Sequence, residues 1–261
     1  MASVAHRFAL LSLVFHAAVA QAEVTLDADA TLASAYVWRG LTVVNRPVLQ
    51  PSLELATSLG RVGVTGSVWS NIELGRYDGA SDLSESGGTS AFNVAEIDPS
   101  LELSLPLGSH ALAVGVDGFF YTNHAGLTSD DAAAEVYVKL ALDWPGSPAL
   151  GWWRDVTSID GSYLEGSLQH SFALGETVSL DLWTNAGWSL SQGGGNFARD
   201  GFTHWEGSLG VSWAWRGVTF APWVSIVFAH DPWTRFVSAT ERRDVKAWAA
   251  LSISGALFGG E

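Results

Sequence analysis

Apolar and polar side chains alternate along most of this chain in segments of about ten residues. From Glu135 to Trp144, Val136, Val138, Leu140, Leu142 and Trp144 fall on one face, while Glu135, Tyr137, Lys139, Ala141 and Asp143 fall on the other. From Ile97 to Leu105, Ile97, Leu101, Leu103 and Leu105 oppose Glu96, Asp98, Ser100, Glu102 and Ser104. From Val178 to Leu190, Val178, Leu180, Leu182, Ala186, Trp188 and Leu190 oppose Ser179, Asp181, Trp183, Asn185 and Ser189. Successive side chains of a strand point to opposite faces, so each segment has one greasy and one polar side. The pattern predicts twelve strands, over 24–40, 48–57, 62–74, 92–105, 110–121, 133–144, 149–156, 162–174, 177–190, 202–215, 217–229 and 244–258. Strands of roughly 9–11 residues are long enough to cross a bilayer when tilted.

The connections alternate as well. Residues 58–61, 106–109, 145–148, 175–176 and 216 are tight links rich in turn formers, whereas 75–91, 122–132, 191–201 and 230–243 are long and polar. The links at 42–47 and 157–161 are intermediate. Outer-membrane barrels carry short turns on the periplasmic side and long loops outside. With an even strand count both termini are periplasmic, and every long connection then falls on the outer side. The expectation is therefore all-β: a single antiparallel transmembrane β-barrel of about twelve strands, occupying 23–261 as one domain. The glycine- and serine-rich stretches 78–90 and 191–196 read as surface loops.

The first 22 residues read as a cleavable signal peptide. Arg7 is the positive n-region, Phe8 to Phe15 the apolar core, and Ala20-Gln21-Ala22 an A-x-A cleavage site. Ala18-Val19-Ala20 is a second such site. Loss of Arg7 with the leader takes the formal net charge from −14 to −15. That acidity excludes nucleic acid as a partner, because a phosphate backbone needs a basic surface. Absence of cysteine excludes a disulfide scaffold, a thiolate metal site and an N-terminal lipid-modified cysteine. Thirteen Trp against only two Lys (Lys139 and Lys246) suit a membrane interface. A Trp-rich soluble β-sandwich lectin is the alternative on composition.

Residues 34–50 carry a more specific signal: Ser-Ala-Tyr-Val-Trp-Arg-Gly-Leu-Thr, then Val-Val-Asn-Arg, then Pro-Val-Leu-Gln. This segment resembles the first hairpin of the TorF family, bacterial outer-membrane barrels of poorly known function, through Ser34, Tyr36, Trp38, Arg39, Gly40, Leu41, Thr42, Pro47 and Gln50. Ala35 stands where that family usually has Asp or Asn, and Pro51 where Gly is common. The resemblance implies a barrel in the outer membrane of a Gram-negative cell that acts as a porin. Phe258, which would mark the end of the last strand, is followed by Gly259, Gly260 and Glu261.

If the apolar faces meet lipid, the opposite faces place Asp27, Asp29, Glu54, Glu73, Glu96, Asp98, Glu102, Asp117, Glu135, Asp143, Glu165, Asp181 and Glu206 inside, against Arg39, Lys139, Lys246 and Arg154. Charge on the lipid face would cost roughly 2–4 kcal/mol at the midplane for Arg or Lys. Candidate pore-lining residues are Arg39, Glu96, Asp98, Glu102, Asp117, Glu135, Lys139 and Asp181. Acidic rings raise the local cation concentration, so the expected function is transport of small solutes with a bias toward cations. The alternatives are a non-conducting structural barrel, its lumen filled by paired side chains, and a barrel enzyme acting on lipid. Arg39, with a planar fork able to hold carboxylates, is the foremost candidate for setting a constriction. For catalysis, only His204, near Glu206, is placed as a base, and no phosphate loop or H-E-x-x-H accompanies it. The loop acids Asp78, Asp82, Glu85, Asp130 and Asp131 lack EF-hand spacing and read as solvated, or as holding divalent cations that bridge lipopolysaccharide. Trp38, Trp144, Trp152, Trp188, Trp213 and Trp215 read as aromatic girdles, and inward Trp69, Trp183 and Trp223 as lumen filling or a sugar-stacking stripe. Expected partners are outer-membrane lipid, lipopolysaccharide and small solutes, and no cofactor is called for.

Overall fold

The computed structural model describes residues 23–77, 91–122, 132–157, 159–192, 196–197, 200–229 and 245–259. The signal-peptide reading and the loop acids Asp78, Asp82, Glu85, Asp130 and Asp131 fall outside those residues.

Fourteen strands are formed: β1 (Thr25–Ala33), β2 (Tyr36–Trp38), β3 (Leu41–Val44), β4 (Val48–Leu59), β5 (Val62–Glu73), β6 (Asn93–Leu107), β7 (His110–Tyr121), β8 (Ala132–Ala141), β9 (Ala149–Asp155), β10 (Ser162–Ala173), β11 (Val178–Leu190), β12 (Gly201–Trp215), β13 (Val218–Ala229) and β14 (Val245–Phe258). Twelve of them, β1 and β4 to β14, form a closed antiparallel barrel in which each strand pairs with its neighbours in order. The seam pairs β1 with β14, from Leu26 opposite Phe258 to Ala33 opposite Ala250. Closure leaves no unpaired edge, which is the condition for crossing hydrocarbon with strands.

The predicted alternation fixes which way the wall faces. Large apolar side chains from all twelve barrel strands stand outside, among them Leu53, Leu103, Val116, Val138, Leu168, Leu209, Ile226 and Ile253, each roughly two-fifths to half exposed. The buried positions inside are largely polar: Asn71, Glu73, Glu96, Glu135, Asn185, Ser189, His204, Glu206 and Ser225. A soluble sandwich would show the reverse. A monomer in water rarely exposes more than a few hundred Å² of contiguous apolar surface, so the lectin alternative falls and lipid is the natural solvent of this outer face. Aromatic pairs mark its two rims: Trp213 stacks on Phe220 (5.4 Å, 13°) toward the short turns, and Trp188 meets Phe202 (5.6 Å, 67°) toward the long connections. Trp144, Trp152, Trp188, Trp213 and Trp215 all face outward.

One predicted element is corrected. The span 24–40 is not one strand. The wall strand β1 ends at Ala33, and the chain then turns inward as the hairpin β2–β3 before re-entering the wall at Val48. The wall closes behind it, because β1 and β4 pair directly from Thr25–Ala56 to Ala33–Val48. Trp38 therefore belongs to the lumen and not to a girdle. Arg154 is also corrected. It shares the outward parity of Trp152 and reaches Asp160 at the long-loop rim.

Candidate functional site

The hairpin is a two-residue turn, Arg39–Gly40, between Trp38 and its partner Leu41. Both turn residues have positive φ, 47° for Arg39 and 81° for Gly40. Two left-handed central residues are the mark of a type I′ turn, whose twist suits a tight hairpin. Gly carries that conformation freely, whereas an arginine does so at a cost of about 1–2 kcal/mol. Strain of this kind persists where surrounding contacts over-determine it, and here those contacts are specific.

Arg39 crosses the lumen to β8 and binds Glu135 through both ends of its fork, Nη1 to Oε1 at 2.8 Å and Nη2 to Oε2 at 2.5 Å. Both side chains are buried, at 8% and 6% exposure. The guanidinium carbon lies 4.4 Å from the Trp38 ring, 4.3 Å from Tyr163 and 5.4 Å from Trp153. Such packing supplies cation–π attraction on top of the charge-assisted bonds. Gly40 abuts β12, where a methyl group would overlap Cβ and Cγ of His204. At the base of the hairpin, Tyr36 packs on Trp69 of β5 (5.4 Å), and Val43 and Val44 join Ala33, Val48 and Ala250 in a buried cluster. Leu41 joins Tyr163 and Phe197 in a second cluster. The hairpin thus leaves the wall between β1 and β4 and touches β8, β10 and β12 on the far side.

All eight candidate pore-lining residues lie on the inner side of the wall, but in different roles. Arg39 and Glu135 form the buried pair just described. Lys139 and Glu102 form a second, looser pair at 3.0 Å, with exposures of 42% and 27%. The Tyr137 hydroxyl donates to the same Glu102 oxygen, also at 3.0 Å. Glu96, Asp98 and Asp117 make an acidic strip on β6 and β7. Glu96 Oε2 and Asp98 Oδ1 are buried with no hydrogen-bond partner among the described residues. Asp181 lies apart, near the short-turn rim, accepting from the hydroxyls of Ser171 and Ser179. Lys246 is bonded to Asn45 at the root of the hairpin.

His204 sits with its ring fully engaged, Nδ1 with the Thr203 hydroxyl (3.0 Å) and Nε2 with Asn185 Oδ1 (3.1 Å). The amide oxygen can only accept, so Nε2 carries a proton and donates to Asn185. The ring is wedged under Gly40, with both nitrogens taken up by these two partners. Among the described residues no cluster of His, Asp or Glu is placed to hold a metal ion.

Two cavities border the hairpin. The first, about 400 Å³, runs beneath Trp38 and Arg39 along Ser67, Trp69, Asp98, Asp117 and Glu165. The second, about 490 Å³, lies between β10 and β14 and is lined by Gln169, Asp181, Trp183, Glu206, Trp223 and Trp248. Val37 and Glu206 border both. Trp248 had not been singled out in the sequence, although its spacing of two from inward Lys246 is the signal that places it inside.

No protein-family model matches the chain, and no curated protein sequence matches it. Among solved structures it is similar to an outer-membrane channel from Pseudomonas putida F1 (8% identity, TM-score 0.49, 89% of this chain and 95% of that one). It is similar also to the KdgM porin in complex with disordered oligogalacturonate (8% identity, TM-score 0.45, 90% and 99%). A third is the outer-membrane phospholipase of Salmonella typhi, a dimer with bound calcium (12% identity, TM-score 0.42, 89% of each chain).

Proposed function

We propose that this barrel is a porin-like channel of the Gram-negative outer membrane, passing small solutes with a bias toward cations through a lumen narrowed by the β2–β3 hairpin. The observation that carries the reading is a charge imbalance inside the wall. The inward cations of the described strands and hairpin, Arg39, Lys139 and Lys246, are each already engaged, by Glu135, Glu102 and Asn45. Among the described residues no salt bridge joins Glu96, Asp98, Asp117, Glu165 or Glu206 to those three cations. A surplus of carboxylates between low-dielectric walls concentrates cations and repels anions. The short turns then face the periplasm and the long connections the lipopolysaccharide.

Of the residues that resemble the TorF family, Tyr36, Trp38, Arg39, Gly40, Leu41 and Thr42 build the hairpin. We therefore include membership of that family in the proposal. The motif's features find local reasons: Gly40 where His204 leaves no room, Arg39 where Glu135 waits, and Trp38 as one face of the aromatic clamp. A second reading has the lodged hairpin behind it: a structural barrel that conducts nothing. Planar-bilayer recording decides between them. Stable current, with a reversal potential in a salt gradient set by the cation, supports the channel. No current at any voltage from folded protein selects the structural barrel, and anion preference refutes the charge argument.

A further inference from the structure

The second cavity has a chemistry of its own. Trp223 of β13 and Trp248 of β14 stand at 77° with ring centroids 6.0 Å apart, so two indole surfaces meet at a corner. Trp183 of β11 borders the same space. The corner is fixed in place, since Trp248 Nε1 donates to Glu206 Oε1 at 3.2 Å and both rings pack on the buried cluster at the root of the hairpin. Two carboxylates, Asp181 and Glu206, share the lining.

The hydroxyls here are largely spent. Ser208 and Ser225 bond each other, Ser171 and Ser179 donate to Asp181, and Ser179 is also bonded to Ser212. A sugar would need both donors and acceptors around an aromatic platform. What is on offer is chiefly indole surface and negative charge, with the Gln169 amide and the indole N–H groups of Trp183 and Trp223 as the side-chain donors. That combination suits a ligand whose positive charge is spread over methyl groups and forms no hydrogen bonds: aromatic rings attract such cations through the quadrupole of the π face, with Trp the strongest.

We propose that the lumen face of β10 to β14 holds a binding site for a compact organic cation of the quaternary-ammonium class, seated in the Trp223–Trp248 corner with Asp181 and Glu206 as counter-charges. The inference rests on the cation-favouring channel reading and names the class of solute that channel would select.

The test is calorimetric titration of the full chain, folded in detergent micelles, with choline, with its neutral isostere 3,3-dimethyl-1-butanol, with glucose and with sodium chloride. Choline is expected to bind saturably and the isostere about tenfold more weakly, because the charge is lost while the shape is kept. Trp248→Ala is expected to weaken choline by about tenfold, and Trp213→Ala, on the lipid face, to leave it unchanged. Asp181→Asn and Glu206→Gln preserve shape and provide a second arm should Trp248→Ala fail to fold; each is expected to weaken choline and not the isostere. Equal binding of choline and isostere, insensitivity to all three lumen variants, or glucose binding that Trp248→Ala abolishes would each overturn the proposal. Choline binding without cation-selective conductance would condemn the channel reading alone. Selective conductance without choline binding would condemn the corner site alone.

Discussion

Replacing either member of the Arg39–Glu135 pair should unlatch the hairpin without opening the wall. Arg39→Met leaves a carboxylate, and Glu135→Met a guanidinium, in a site where both side chains are less than a tenth exposed. Breaking a buried pair by removing one partner costs about 3–5 kcal/mol, most of it the uncompensated charge. The cost falls on the docked state of the hairpin, because β1 and β4 remain paired behind it through nine registered positions. Converted to populations, the docked-to-released ratio should drop by roughly 10²–10⁴. Single-channel recording should then show larger or flickering conductance in each single variant. The double variant Arg39→Met/Glu135→Met restores an uncharged, similarly filled site against Trp38, Trp153 and Tyr163, and apolar replacement of a buried pair is often neutral, so conductance should return toward the parent's. Parental conductance in both single variants, with the folded barrel verified by heat-modifiable gel mobility, would refute the latch. Equal gains in single and double variants would show that the pair acts only through packing.

Other expectations follow from the same geometry. Gly40→Ala puts a methyl into His204 and should raise conductance as the latch variants do, whereas Gly60→Ala, also at positive φ but in open space at the opposite rim, should cost only about 1 kcal/mol of stability and leave conductance alone. Lys139→Met should change stability by less than about 1 kcal/mol, since the Lys139–Glu102 pair is partly exposed, yet shift the reversal potential further toward the cation. Val138→Arg, on the lipid face of β8, should lower unfolding stability in lipid vesicles by about 2–4 kcal/mol if it lies near the midplane, while Val156→Arg, beyond the end of β9, should be close to neutral.

Most of the wall was legible because a barrel strand must satisfy two solvents at once, and period two records that demand residue by residue. Val136, Val138 and Leu140 could face only lipid once Glu135, Tyr137 and Lys139 were to be kept from it. The hairpin was not legible for the opposite reason. Tyr36, Val37, Trp38, Leu41, Val43 and Val44 meet other side chains on both faces, so their pattern continues β1 without a break. The cue was length, since 24–40 is far longer than a bilayer needs. Arg39 could be singled out, but its partner could not: Glu135 lies 96 residues away, and that contact exists only because the hairpin turns inward. The Trp223–Trp248 corner was hidden likewise, because it arises from the register of two strands joined by a long connection.

The position of the latch along the chain also sets an order of events in biogenesis. The hairpin precedes in the chain every strand it will touch on the far wall. Arg39 can meet Glu135 only once β8 is in place, and the rings close over it only when β9 and β10 bring Trp153 and Tyr163. Until then the guanidinium next to Trp38 has no carboxylate to hold it. The disappearance of Arg39 from solvent is therefore a marker, built into the polypeptide, that the far wall of β8 to β10 stands opposite the hairpin.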